Sequence, residues 1–113
     1  MNESDAVRKA ICEKKAITRL NPTQKNGCLS GRVNDVVAFY INPRVKPAAH
    51  YLLHVRVIGM NNEKWAAMYA KELGGRHKRA TQGHDACVAI EAFSLEQITK
   101  LIDQFAKLSD YAH

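Results

Sequence analysis

The chain is poor in cysteine and aromatics and has no long apolar run. Its three cysteines, Cys12, Cys28 and Cys87, are an odd number at wide spacing, which argues against a secreted disulfide framework and for a reducing compartment. Three buried thiols are expected. Nowhere do about 20 apolar residues run together, as a bilayer-spanning helix requires. The opening MNESDAVRKAICEKK is polar and mixed in charge, unlike a secretory signal. A soluble, cytoplasmic protein without a membrane partner is therefore expected. Also missing are a fixed-period repeat, a low-complexity tract, a phosphate loop ending in Gly-Lys-Ser/Thr, a dinucleotide fingerprint and a nucleophile elbow. These absences point away from the common nucleotide-dependent and serine-based enzymes. A protein without cofactor or catalysis is the expectation.

What is present suits one packed domain over residues 1–113. The 113 residues are 46% hydrophobic and 25% charged, close to globular averages and far from the signature of disorder. Residues 2–15 place Ala6, Val7, Ala10 and Ile11 on one stripe after early acids, with Asn2 or Ser4 as N-cap, so a short amphipathic helix is expected there. TRLNPTQKNGCLSGR, residues 18–32, reads as a basic loop rich in Pro, Gly and Asn. So long a loop is uncommon in a small domain, so residues 16–20 are expected either to join a sheet or to order on a partner.

VNDVVAFYI (33–41) and YLLHVRVIGM (51–60) read as strands. In the second, Tyr51, Leu53, Val55 and Val57 share a dry face, while Leu52, His54, Arg56 and Ile58 share a mixed one. EKWAAMYAKEL (63–73) reads as a helix capped by Asn61 or Asn62, ended by Gly74-Gly75, with Trp65, Met68, Tyr69 and Leu73 on its buried stripe. A second basic loop follows over residues 74–86, then a strand, CVAIEAF (87–93). Ser94 with Gln97 forms a capping box ahead of a helix bearing Leu95, Ile98, Leu101, Ile102, Phe105 and Leu108 at helical spacing. The expected fold is an α+β domain in the order α-β-β-α-β-α, a small, mainly antiparallel sheet of three to four strands with helices packed on it.

The formal charge of +6 is concentrated. Residues 14–46 hold seven bases against one acid, Asp35, and residues 71–79 hold four against Glu72. Residues 91–110 are slightly acidic. Cations on Gly-rich turns bring side-chain charge together with exposed backbone N–H groups, which suits phosphate. The leading expectation is a small basic protein that contacts the phosphate backbone of DNA or RNA through Arg32, Arg44, Lys46, Arg56, Arg76, Lys78 and Arg79. His54 and His77 are secondary contacts, and the strand face carrying His54 and Arg56, with His50 in line, would lie against the polyanion. Tyr40 could add a ring to that face, with Phe39 then in the core.

Other chemistries are weaker. His77, His84 and Cys87 form H-x6-H-x2-C, which lacks the paired clusters of structural zinc sites, so no metal site is expected. A protein-interaction module docking on an acidic partner protein is the alternative function. A nuclease using His50 or His54 with His77 or His84 is the third, but no sequence feature sets that geometry. Spare sheet edge would suit a homodimer.

Overall fold

The computed structural model describes residues 3–43 and 50–108. Three helices and six strands follow the order α1 (Glu3–Ile11), β1 (Ile17–Leu20), β2 (Leu29–Val33), β3 (Val37–Pro43), β4 (Tyr51–Val57), α2 (Asn62–Tyr69), β5 (Arg76–Lys78), β6 (Cys87–Ala92) and α3 (Leu95–Leu108). All strand pairings are antiparallel, in the spatial order β1-β2-β3-β4-β6-β5. The fold is α+β, but the expected three- to four-stranded sheet and the order α-β-β-α-β-α are wrong. The sheet has six strands, in the order α-β-β-β-β-α-β-β-α.

The extra strands come from the two segments expected to be basic loops. Residues 18–32 hold most of β1, most of β2 and the hairpin between them. Asn21 donates its N–H to Ser30 and Gln24 donates to Cys28, while the Asn26 carboxamide accepts from the Cys28 N–H at 3.1 Å. From α1, the Ser4 hydroxyl donates to the Gly27 carbonyl at 2.6 Å and the Arg8 guanidinium to the Asn21 carbonyl at 2.6 Å. Ser4 is thus a buried tether inside the helix, not its N-cap. Residues 74–86 likewise contain β5. The run 33–41 is also not one strand: Asn34 and Asp35 have φ of 50° and 62° and turn the chain tightly from β2 into β3. Two successive left-handed residues are what a type I′ hairpin turn needs, and Asn and Asp tolerate them best after glycine.

One face of the sheet is dry. Leu29 and Val33 of β2, Val37, Phe39 and Ile41 of β3, Tyr51, Leu53, Val55 and Val57 of β4, and Val88, Ile90 and Ala92 of β6 join a single core with the helices. The helices contribute Val7 and Ile11 from α1, Trp65 and Ala66 from α2, and Ile98, Leu101, Ile102, Phe105 and Leu108 from α3. The expected capping box forms in part: the Ser94 hydroxyl accepts from the Gln97 N–H, while the Gln97 side chain accepts from the N–H of Phe93, one residue before the cap. Helix α2 starts at its Asn61 cap but ends at Tyr69. A turn then carries the chain to Gly74, whose φ of 71° suits a residue without Cβ. Met68, expected in the core, is 60% exposed. Cys28 and Cys87 are buried, whereas Cys12 is exposed. Among the described residues, no helix is long and apolar enough to cross a membrane.

Gly31 sits on the dry face, where the Phe39 ring fills the space a side chain would take. A Cβ there would stand 2.9 Å from Phe39 Cζ and closer still to the Arg19 carbonyl. Gly31→Ala should therefore destabilise the fold by about 1–3 kcal/mol through overpacking, measured by denaturant unfolding. An unchanged midpoint would show that β1 and Phe39 yield freely.

Candidate functional site

Alternation puts the remaining strand residues on the opposite face, which no described element covers. There they line a concavity of about 560 Å³ that reaches from β1 to the segment after β5. Cross-strand register arranges its floor in rows. Arg19 pairs with Arg32, Arg32 with Ala38, and Ala38 with Arg56. Cys87, next in register beyond Arg56, pairs with Lys78 of β5. One row thus carries Arg19, Arg32, Arg56 and Lys78. At the usual strand spacing of about 4.8 Å it crosses the sheet in roughly 24 Å. The adjacent row runs Ser30, Tyr40, His54, Ala89, Arg76.

Arg19 reaches this face because the register of β1 shifts between Ile17 and Arg19. The bulged Thr18 turns its hydroxyl to accept from the Asp35 N–H at 2.8 Å. In a regular register continued from Ile17, Arg19 would oppose Gly31 on the dry face and Leu20 would oppose Ser30.

The floor between the cations carries a stacked pair of rings. Tyr40 and His54 stack with ring centroids 6.1 Å apart and planes 11° from parallel. A hydrogen bond with the buried Cys28 thiol, then burial, pushes the Tyr40 hydroxyl above its ordinary range. Burial, followed by the charges of Lys78 and Arg76, holds the His54 imidazole below its ordinary value, so His54 is neutral at pH 7. Its Nε2 is buried with no hydrogen-bond partner among the described residues. Burial also raises the Cys87 thiol, which stays protonated and is a poor nucleophile.

The concavity is strongly cationic. Arg19, Arg32, Arg56, Lys78 and Arg79 line it against a single carboxylate among the lining residues, Asp85. Asp85 lies 4.0 Å from Arg56 and accepts from Asn62 at 3.0 Å. The Asn62 carboxamide also bonds both the N–H and the C=O of Val57 at 3.0 Å, which fixes the end of β4 and the rim of the concavity.

Of the sequence-predicted residues, Arg32, His54, Arg56, Lys78 and Arg79 come together here, and Arg76 joins them through its row. Arg76 and Lys78 act from a strand rather than a loop. His77 does not belong: it pairs with Val88 of the dry face, and its Nε2 lies 2.9 Å from the Glu63 carboxylate of α2. Glu63 also accepts from the Ala80 N–H at 2.6 Å, the main influence holding its carboxyl below the ordinary pKa. Arg44 and Lys46 lie outside the described residues. Arg19 was counted in the basic excess but not placed; the apolar-polar-polar-apolar pattern of ITRL hides the bulge that aims it. Among the described residues, no group of three His, Cys, Asp or Glu side chains could hold a metal ion.

A lowered pKa in the folded state means the unfolded chain binds the proton more readily. His54 therefore contributes stability that is complete above about pH 6.5 and is lost as pH falls towards its folded value. Two-dimensional NMR titration should find His54 below its ordinary value and show it rising when Arg76 and Lys78 are both replaced by Met. A His54 signal unmoved by that double change would leave burial as the whole cause. Compared with protein-family models, curated proteins and solved structures, the chain matches none of them.

Proposed function

We propose that this protein binds nucleic acid, DNA or RNA, without catalysis, through the open face of its sheet. The observation that carries this reading is the row of Arg19, Arg32, Arg56 and Lys78 along one line across a concave surface that holds a single carboxylate. A row of guanidinium and ammonium groups offers phosphate contacts at successive strands, and rigid strands hold their spacing better than loops would. A solvated surface carrying Lys and Arg only for solubility would more often intersperse carboxylates among them. His54 and His84 both line the concavity, so the binding reading rests on the cation row, and degradation of a labelled oligonucleotide that is lost on replacing His54 or His84 by Ala would overturn it. The free cysteines fit a reducing, cytoplasmic setting.

Phosphate contacts release counterions, so affinity should fall with salt in proportion to their number. For about four contacts, the loss between roughly 50 and 200 mM salt is on the order of 50- to 150-fold. Fluorescence anisotropy with labelled oligonucleotides measures it. Replacing Arg32 and Arg56 by Gln should weaken binding to every sequence alike and reduce the log–log salt slope by about 1.4–1.8. A folded double variant with an unchanged slope would remove this row from the interface. If no oligonucleotide binds at the lower salt, the cationic face is left to an acidic protein partner.

A further inference from the structure

We infer that the face takes a single strand, laid across the β-strands with its phosphates on the cation row and its bases on Tyr40 and His54. The inference rests on the nucleic-acid reading above and adds to it the form of the nucleic acid. Its basis is the offset between the two rows. Arg32, Ala38, Arg56 and Lys78 are each two residues from Ser30, Tyr40, His54 and Arg76 along the same strand, so the rows run parallel about 6.6 Å apart. One row carries charge and the other carries rings. A backbone following the first would hang its bases over the second.

The two rows would be used differently by a duplex and by a single strand. In a duplex the base faces are covered by their neighbours, and only edges show in the grooves. Tyr40 and His54, at the floor of a concavity, could not reach them, and only the cations would act. In a single strand the bases are free to unstack and lie on Tyr or His rings, and this stacking tolerates any base. The Tyr40 and His54 rings stack on each other with planes 11° from parallel and centroids 6.1 Å apart, so a base laid on an outer ring face would lengthen that stack. At the middle of the charged row, Ala38 has no long side chain to block the strand between Arg32 and Arg56.

The test is fluorescence anisotropy at about 50 mM salt with four probes of equal length: single-stranded DNA, single-stranded RNA, duplex DNA, and a single DNA strand whose central nucleotides are abasic. The abasic strand keeps every phosphate and removes the bases. The intact single strands should bind at least about tenfold more tightly than the duplex. The abasic strand should lose on the order of 5- to 150-fold, the range for one stacked base, at an unchanged salt slope. Tyr40→Ala should lose a similar factor on the intact strand and little on the abasic one, while Tyr40→Phe keeps binding and shows that the ring, not the fold, was lost. Duplex binding as tight as single-strand binding, or equal affinity for abasic and intact strands, overturns the inference and leaves the nucleic-acid reading standing. Failure of all four probes to bind overturns both.

Discussion

Everything in this molecule depends on the sheet having one apolar face only. With a side-chain period of two, β2, β3 and β4 send most of their large apolar residues to one side and their polar residues to the other. Three helices with apolar stripes suffice to cover one face of six strands, and their buried residues join one core. The polar face is left uncovered by the described residues because, Leu52 of β4 apart, the alternate positions of β2–β4 carry mostly Arg, Ser, Tyr and His instead of large aliphatic residues. A one-residue slip anywhere in β2–β4 would put arginines into the core, so the stability of the dry face and the display of the cations are one constraint.

The same constraint explains what could be read in advance. Strand β4 was legible because Tyr51, Leu53, Val55 and Val57 alternate with a mixed set, Leu52, His54 and Arg56, over seven positions, and α3 because its cap and apolar stripe agree. Strands β1, β2 and β5 were not. They are three to five residues long, and ITRL, LSGRV and RHK contain too few apolar residues to show a period; their neighbours hold them in the sheet. Asn34-Asp35 was a turn signal inside an otherwise β-rich run, and the apolar residues around it outweighed it. Counting charge along the chain located the bases but not their face. Arg19 and Arg32 are thirteen residues apart and His77 is next to Arg76, yet Arg19 and Arg32 are cross-strand neighbours while His77 and Arg76 face opposite ways.

Helix α2 links the two faces. Its first residue, Asn62, closes the end of β4 and holds Asp85 on the rim of the concavity, and Glu63 beside it anchors the segment after β5 through Ala80 and His77. Two consecutive polar residues at one helix start therefore set the position of the far side of the cationic face. Replacing either residue would reach the surface through the backbone it holds, without touching a cation.

The strand order also bears on how the chain reaches this structure. From β1 to β4 each strand lies beside the next in sequence, so this part of the sheet is a meander of sequence neighbours. Only the pairing of β4 with β6 must wait for α2 and β5 to be threaded between them. Loop-closure entropy is lower for the meander, which places it early in folding, and the docking of β6 with α3 behind it is the late, nonlocal step. The row of cations is thus assembled in two stages: Arg19, Arg32 and Arg56 come into line with the meander, and Lys78 is added only when the last two strands close the sheet.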